Sequence, residues 1–430
     1  MLHIGNKFHL IVLGLVLALA GFFRFWAVPL SAGPDIAQFW AFAKVFQLHG
    51  LDFYQYADGT GAIFPFQGWR FVYPPIWLLI SKWALMASPT SSATTYMVDI
   101  GWRLAEKTPI ILADLAIGIL LYWVTPGSKS RKLLFASLWL FNPAVWYQSA
   151  VFGQFDAIAA AFLLVSIIML ERGKDRWAFL AAGLAVMTKQ HTFIPVALMV
   201  AISARNMDKR RLLTNCSILA GVVILMSIPF LITGNFSSYA RSLFLPGGRP
   251  DYQNPLSYAF SGTGALLTYL HNVFDWNTSG LLQLNIPLLV IALIAALVFS
   301  YRRSVTPAQG ALIGFLIFLS FSYRVNYQYL VVYIPIAILL ASRTQYRSEK
   351  ALAIVLTLLP GVWLWFFDVS YWFNSLSPVN PWVTPIFARV GLAHRGMPDY
   401  AYVILALVLM SLFLTYVVCT FLRWRHPAIR

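Results

Sequence analysis

The sequence predicts an all-α fold, a polytopic transmembrane helix bundle of about 12 crossings whose outward-facing loops carry short amphipathic helices. Hydrophobic residues make up 60% of the 430 residues and charged residues only 11%, a balance that excludes an ordinary soluble protein. One crossing needs roughly 20 apolar residues, so the chain is long enough for many. No polar segment is long enough for a separate catalytic domain, and residues 1–430 are expected to form one integral membrane domain.

The distribution of positive charge predicts which way the helices face. The formal net charge is +16, and the basic residues collect in short connectors between apolar runs, as is typical of the cytoplasmic side. These connectors are residues 128–132, 171–176, 208–211, 301–303, 343–350 and 423–430. A basic surface for nucleic acid is the alternative that this dispersed arrangement disfavours. The first apolar run, residues 10–28, lacks a cleavage site and is expected to remain as a membrane helix, with both termini in the cytoplasm.

With those connectors inside, three polar tips must point outward. The first tip, residues 151–156, joins helices expected at about residues 132–150 and 154–170. The second lies at Thr188 to His191, because the run between its basic connectors is too short for two full crossings. Two short helices that meet at a polar break are tolerated at membrane depth where they line a polar cavity. The third hairpin turns at residues 323–328.

The outward side is also expected to carry longer loops, at about residues 31–72, 233–280 and 368–399. They are rich in Gly, Pro and aromatic residues, which suit the membrane interface. Residues 73–86 form a further apolar run. If this run and residues 102–123 both crossed, the first basic connector would fall outside, so an interfacial or re-entrant position is favoured for residues 73–86.

Asp35 is the candidate catalytic carboxylate. It follows Pro34 shortly after the first apolar run, and both residues fit the first turn of a helix. The unpaired amide protons and the positive end of the helix dipole stabilise a carboxylate there, so Asp35 is expected to stay ionised. The alternative is an ordinary helix-start aspartate without chemistry. Asp52 and Asp58 lie in the same outward loop as alternative bases.

Three cationic side chains at the tips are candidates for binding an anionic phosphate. Lys189 and His191 stand at the second tip and Arg324 at the third; arginine offers a planar fork and lysine a point charge. The alternative is that each one reaches the membrane interface or caps a helix end. Asp156, at the first tip, has three open roles: it could bind sugar hydroxyls, orient a lysine, or cap the helix that follows.

Other polar residues within apolar runs are expected to be structural. Asp114 lies two helical turns after Lys107, and a polar pair inside the bundle is the favoured interpretation. Cys216 and Cys419 lie within apolar runs and indicate neither a disulfide nor a metal site. The sequence indicates no cofactor, no metal ligand set and no glycine-rich phosphate loop.

Taken in order, several short motifs resemble those of a known superfamily. They are Asp35 in the first outward loop, Tyr73-Pro74-Pro75, Asn142-Pro143 leading into Gly153-Gln154-Phe155-Asp156, Lys189-Gln190, and Asn326-Tyr327-Gln328-Tyr329. The combination resembles the C-type glycosyltransferase superfamily. Within it, the chain is similar to prokaryotic relatives of the glucosyltransferases of lipid-linked oligosaccharide assembly and of the mannosyltransferases of glycolipid anchors. The likeness covers about residues 10–340, while residues 341–430 add C-terminal transmembrane helices.

The resemblance implies an inverting transfer of a hexose, mannose or glucose, from a polyprenyl-phosphate-linked donor to a hydroxyl of a glycan or glycolipid acceptor. The active site would face the exoplasm of a prokaryotic plasma membrane, with the lipid bilayer as the other partner. By the same resemblance Asp35 matches the catalytic base. Donor phosphate binding is expected from Arg324, Lys189 and His191, and sugar or acceptor binding from Gln154, Asp156, Gln190, Tyr327, Gln328 and Tyr73.

Two departures from the superfamily pattern leave the sugar and any metal requirement open. Position 37 is alanine, so the Asp-x-Asp of the anchor mannosyltransferases is absent. Asn326-Tyr327 stands where the oligosaccharide glucosyltransferases usually have a histidine-containing motif. The alternative function is a transporter or flippase of polyprenyl-linked glycolipids, which would need polar residues along a whole crossing path. The apolar runs between the basic connectors contain few such residues, which favours the enzyme.

Overall fold

A computed structural model describes residues 2–31, 33–89, 91–93, 98–233, 236–244, 262–322, 325–366 and 398–423. Within these ranges the secondary structure is helical, apart from one isolated antiparallel bridge between Ala93 and Val98. The described part of the chain therefore confirms the all-α fold.

The helices in these ranges are α1 (Leu2–Ala27), α2 (Pro34–His49), α3 (Phe53–Tyr56), α4 (Pro75–Ala87), α5 (Ile100–Val124), α6 (Lys129–Leu140), α7 (Pro143–Trp146), α8 (Asp156–Glu171), α9 (Asp175–Thr188), α10 (Phe193–Asn206), α11 (Lys209–Leu231), α12 (Phe236–Phe244), α13 (Gly262–Phe274), α14 (Ser279–Gln283), α15 (Asn285–Arg302), α16 (Pro307–Phe321), α17 (Leu330–Arg343), α18 (Arg347–Phe366) and α19 (Asp399–Arg423). Short 3-10 turns lie at Val28–Leu30, Gly50–Asp52, Gln190–Thr192 and Tyr327–Tyr329, and a π-helix at Tyr147–Phe152. α17 is the centre of the larger apolar core, since every residue from Leu330 to Ser342 is buried.

Several basic connectors meet at one end of the bundle, here called the basic end. Arg343 pairs with Glu171 at 2.6 Å, which joins the ends of α17 and α8. Arg205 donates to Ser304 Oγ at 3.0 Å, and Arg211 pairs with Asp175. A cavity of about 600 Å³ at this end is lined by the ends of four helices, through Trp123, Val124, Ile168, Glu171, Arg172, Thr306, Pro307 and Arg343. The common side predicted for these connectors is therefore present in the fold.

The predicted tips meet at the opposite end, here called the tip end. His191 contacts Tyr329 with ring centroids 4.6 Å apart, and Phe152 contacts Tyr327 at 5.8 Å. The predicted break in the second hairpin is confirmed, because α9 ends at Thr188 and α10 begins at Phe193. Residues 323–324 of the third tip lie outside the described residues.

α4 and α5 form a helical hairpin at the tip end. Ser81 Oγ donates to Glu106 at 2.8 Å, and a Cβ built on Gly101 would approach Ser88 Oγ at 2.7 Å, so the two helices run antiparallel. The 13 residues of α4 extend only ~20 Å, less than the roughly 30 Å of a hydrocarbon core. α5 has 25 residues and reaches the basic end. This geometry fits an interfacial or re-entrant position for α4.

The predicted count of about 12 crossings is not confirmed. In the described ranges, four helical segments are long and apolar enough to span a membrane: Phe8–Leu30, Lys209–Leu231, Ser279–Arg302 and Asp399–Leu422. The remaining apolar helices are shorter or carry more charge. The chain is an integral membrane protein built from several apolar helices, and its number of crossings stays a prediction.

Two local expectations were wrong. Residues 31–72 are not mainly a loop, because residues 34–56 are helical in α2, the turn at Gly50–Asp52 and α3, and ten residues of α2 are buried. The helix expected over 132–150 ends at Leu140, since Pro143 cannot continue a helix from the preceding turn. The Asn142 side chain instead accepts from Ala144 N at 3.0 Å and starts a new one.

The predicted pair of Lys107 and Asp114 is also wrong. Asp114 accepts from Arg24 Nε at 3.0 Å and from Ser149, whereas Lys107 Nζ donates to the carbonyl of Ser31 at 2.7 Å and that of Val151 at 2.8 Å. Two helical turns separate the two residues by ~10 Å along the axis. Helix neighbours interact across three or four residues, so each of these buried groups finds its partner on another element.

Candidate active site

The approach of two chain segments brings Asp35 into the tip end of the bundle. Gly33 is the extended residue before α2, with Pro34 and Asp35 in the first turn. A Cβ on Gly33 would overlap the Phe152 ring and lie 2.5 Å from the Phe152 carbonyl oxygen. Only glycine allows this contact, which sets the start of α2 against the segment that leads to Gln154.

The π-helix shapes the second segment. Both Gly153 N and Gln154 N donate to the carbonyl of Gln148, at 2.9 and 2.8 Å, and Gly153 has a φ of +83°. This left-handed residue ends the π-helix and turns Gln154 toward Asp35. Gln154 Nε2 donates to Asp35 Oδ2. Single π-helical turns occur often at functional sites.

Lys189 and Asp156 form a buried ion pair beside Gln154. Lys189 Nζ lies 2.6 Å from Asp156 Oδ2, and their side chains are 1% and 0% exposed. The same ammonium lies 3.5 Å from Gln154 Oε1. The polar side chains therefore form one continuous chain, from Asp35 through Gln154 and Lys189 to Asp156, which we call the polar relay. Of the three open roles, orienting a lysine is the one that the structure shows for Asp156.

Aromatic rings enclose the ammonium group of the polar relay. Lys189 Nζ lies 4.4 Å from the Phe155 ring centroid, 5.1 Å from that of Tyr73 and 5.7 Å from that of Tyr329. Phe155 in turn stacks on Trp77 at 4.1 Å. Ring faces attract a cation and exclude water, so they strengthen the charge interactions among these residues.

Burial raises the pKa of the Asp35 carboxyl from 3.8 to about 6, although the residue keeps partial exposure to solvent. The Lys189 ammonium and the Gln154 hydrogen bond lower this pKa, and the Asp156 carboxylate raises it. Desolvation has the largest effect on this pKa and raises it. The start of α2, which was expected to dominate, would lower it. With this pKa Asp35 is still mostly ionised at neutral pH and can accept a proton.

Residues 57–73 form a wall beside the polar relay. Gln38, one turn after Asp35, donates to the carbonyls of Phe66 at 3.1 Å and Trp69 at 2.9 Å. Gln190 Nε2 donates to the carbonyl of Val72 at 2.8 Å. Gln190 thus contacts the backbone of this wall, which leads directly into Tyr73.

The other predicted site residues are placed differently. His191 is buried against Phe315, Phe318 and Tyr329, with Phe318 stacked at 5.9 Å. Tyr327 and Gln328 are buried in the 3-10 turn before α17. Arg324 lies outside the described residues. The structure therefore brings together Asp35, Gln154, Asp156, Lys189 and Tyr73, with Gln190 at the edge of the group.

The polar relay holds two carboxylates, Asp35 and Asp156, against the single ammonium of Lys189. When all three are ionised, the group is net negative. A phosphate-bearing substrate therefore needs a cation from outside this group. Among the described residues, no cluster of three or more His, Cys, Asp or Glu side chains has the arrangement of a metal site. The expectation that no metal is required stays a prediction.

Sequence reasoning missed several residues that position the site. Gln38 anchors the wall, Trp102 Nε1 donates to the Ile36 carbonyl at 2.9 Å, and Lys107 bonds carbonyls on both segments of the site. The signal for Lys107 was present, since an ionisable residue inside an apolar helix needs a partner. No sequence pattern shows that its partners are backbone carbonyls.

The sequence around this site matches a known protein family. The profile of glycosyltransferase family 87 matches residues 71–322, which is more than half of the chain. The chain belongs to glycosyltransferase family 87. The resemblance to C-type glycosyltransferases seen in the motifs is thereby confirmed at the level of the family. The matched range contains Gln154, Asp156 and Lys189 but does not include Asp35.

Individual relatives are more distant. A segment of 120 residues, 27% of this chain, is 26% identical to part of GPI mannosyltransferase 1 of Saccharomyces cerevisiae and spans 30% of that protein. ArnT from Cupriavidus metallidurans is similar in structure, at 18% identity and a TM-score of 0.47 in the apo state, where 95% of this chain and 76% of ArnT are covered. Its undecaprenyl phosphate complex gives 15% identity, a TM-score of 0.46 and coverage of 93% and 77%. These similarities are too low to transfer residue roles.

Proposed function

We propose that the protein transfers a hexose from a polyprenyl-phosphate donor to a hydroxyl of a glycan or glycolipid acceptor on the exoplasmic side, with inversion. The polar relay is the observation that carries the proposal. It presents a partly exposed carboxylate with a raised pKa next to a buried, ring-enclosed ion pair. An acceptor hydroxyl needs such a base, and a positioned carboxylate contributes roughly 10² to 10⁴-fold in rate.

The reaction requires one proton transfer and one exchange of bonds at the anomeric carbon. The acceptor oxygen attacks that carbon while Asp35 takes the hydroxyl proton. The bond between the anomeric carbon and the phosphate oxygen breaks, and its electron pair leaves with the polyprenyl phosphate. Gln154 Nε2 donates to Asp35 Oδ2. The other carboxylate oxygen, Oδ1, is then the one that takes the proton of the acceptor hydroxyl.

The state of the second carboxylate supports inversion. Double displacement would need Asp156 as a nucleophile, but its Oδ2 is paired with Lys189 at 2.6 Å and its side chain is fully buried. A carboxylate held in this way cannot reach a sugar without breaking the ion pair. The mechanism with a single displacement is therefore favoured.

The charge balance of the polar relay supports contact between the leaving phosphate and a cation other than Lys189. Lys189 is already paired with Asp156, so its predicted role changes from a direct phosphate ligand to a group that holds Gln154 and Asp35 in place. Arg324 is the candidate for the phosphate contact, since it follows the described end of α16 by three residues and can bind two phosphate oxygens at once.

Incubation of the purified protein with radiolabelled polyprenyl-phosphate mannose or glucose and a panel of membrane glycolipids tests the proposal. The expected result is release of polyprenyl phosphate with label in the glycolipid, and loss of both in Asp35→Asn. Asp58→Asn is the matched control, because Asp58 accepts from Thr60 at 2.9 Å in the wall and is not part of the polar relay. Release of polyprenyl phosphate without label in the glycolipid would refute the proposed transfer. No release of polyprenyl phosphate from any donor would also refute it.

A further inference from the structure

α5 holds the segment that carries Asp35 by donating to its backbone carbonyls. Trp102 Nε1 donates to Ile36 at 2.9 Å, Arg103 Nη1 to Pro29 at 2.8 Å, and Lys107 Nζ to Ser31 at 2.7 Å. These bonds flank Asp35 on both sides. The start of α2 is therefore held by side chains of α5 as well as by the backbone hydrogen bonds of α2.

Lys107 also reaches the second segment of the site. Its Nζ donates to the carbonyls of Ala150 at 3.0 Å and Val151 at 2.8 Å, and to Ser31 Oγ at 3.1 Å. The side chain is 0% exposed, and no carboxylate pairs with it among the described residues. A buried ammonium bound by three main-chain carbonyls and one hydroxyl, without a carboxylate, is an uncommon arrangement, since buried charges are usually paired.

The bonded carbonyls lie close to the polar relay in sequence. Ser31 is four residues before Asp35, and Val151 is three residues before Gln154. A Cβ built on Gly153 would lie 3.1 Å from Lys107 Cε, so the lysine stem also packs against the turn that directs Gln154. Neither Trp102 nor Arg103 shows a bond to this second segment.

We propose that Lys107 is a positioning residue for the transfer, which clamps the Asp35 segment to the Gln154 segment through charge-assisted bonds to carbonyls of both. This inference rests on the proposed function. Removal of the ammonium takes a donor from three buried carbonyls, of which Ala150 keeps the Ser31 hydroxyl at 3.3 Å, and loosens the contact between the two segments. Asp35 then relaxes toward water and away from Gln154, Lys189 and Asp156, the groups that face it.

Three variants separate this role from general support of α5. Lys107→Met keeps much of the stem and removes every donor, while Lys107→Arg keeps charge and donors. Ser81→Ala is the matched control, because it removes the α4 contact of the neighbouring Glu106 without touching either segment. Thermal unfolding in detergent shows whether each variant is folded.

One readout needs no substrate. Carbodiimides react with protonated carboxyl groups, so the pH midpoint of Asp35 modification, followed by mass spectrometry with Asp35→Asn as the blank, reports its ionisation. The wild-type midpoint is expected at about 6. The surroundings of Asp35 raise its pKa overall. If Lys107→Met lets the Asp35 segment move toward water, the midpoint of modification should fall toward about 4. Ser81→Ala should leave it unchanged, and Lys107→Arg should restore it in part.

The second readout is the rate of transfer. Lys107→Met should lower kcat by about 10- to 100-fold with little change in the KM for the donor, as a small misplacement of a catalytic group does. A folded Lys107→Met protein with wild-type midpoint and kcat would overturn the inference. If that variant does not fold, Lys107→Gln, which keeps two N–H donors but loses the charge, should shift the midpoint and kcat in the same direction by a smaller amount, and no shift in either would overturn the inference. If no donor is turned over, the proposed function fails while the labelling midpoint still tests the clamp.

Discussion

At the scale of single residues, the properties of Asp35 come from its neighbours. The start of α2 alone would keep its pKa low, yet burial raises the pKa to about 6. Gln154 links it to the Lys189 and Asp156 pair, so the charge on one member influences the others. A base tuned to this range can work near neutral pH because it is largely ionised yet still accepts a proton.

The pH dependence of the reaction tests this tuning. Asp35 must be deprotonated to act, so kcat/KM should rise about tenfold per pH unit below its pKa of about 6 and level off above it. The measurement is the rate of label transfer between about pH 4.5 and 8. Asp58→Asn should keep the same profile. A flat profile across this range would remove Asp35 from the base role.

The ion pair offers a second residue-scale test, which separates support from chemistry. Lys189→Met leaves Asp156 buried without its cation and should destabilise the protein by roughly 3 to 5 kcal/mol. Lys189→Met combined with Asp156→Asn removes both charges and should recover much of that loss in thermal unfolding. Activity should stay low in the double variant, because Gln154 and Asp35 lose their charged neighbour. If the double variant recovered both activity and stability, the Lys189–Asp156 pair would have only a structural role.

At the scale of elements, the turn between the π-helix and α8 decides where Gln154 lies. Gly153 has a φ of +83°, and the space a Cβ would need is taken by Ile36 and Lys107. The turn between α8 and α9 provides a natural comparison. Gly173 there has a φ of +70° but no atom within 4 Å of a Cβ position.

Substitution of these two glycines separates backbone strain from displacement of the site. Gly173→Ala should cost only the left-handed strain, about 1 to 2 kcal/mol, with normal transfer activity. Gly153→Ala carries the same strain and also pushes against α2, so it should be less stable and lose most of its activity. Thermal unfolding and initial rates measure both effects. Equal rates in the two variants would show that the position of Gln154 does not matter.

At the scale of the whole molecule, the bundle has two ends of different character. The basic connectors meet at one end and the polar relay lies at the other, with α5 extending between them. Positive connectors favour the cytoplasmic side. The polar relay is therefore expected to face the exoplasm.

Cysteine labelling in sealed vesicles of known orientation tests this topology. In a background without Cys216 and Cys419, Thr60→Cys and Gly61→Cys in the exposed wall should react with an impermeant thiol reagent from the exoplasmic side. Lys174→Cys and Ser304→Cys, exposed at the basic end, should react only after the membrane is opened. Labelling of Thr60→Cys from the cytoplasmic side alone would reverse the proposed orientation.

The sequence by itself determined the helical membrane class, the common side of the connectors, the break after Thr188 and part of the site, namely Asp35, Tyr73, Gln154, Asp156 and Lys189. These follow from hydropathy, charge and polar breaks, which are local properties of the chain. Only the tertiary structure decided the partners: Asp114 with Arg24, Lys107 with carbonyls on two segments, and Lys189 with Asp156. A buried charge takes whichever partner the packing brings within about 3 Å, and sequence spacing does not encode that distance between separate helices.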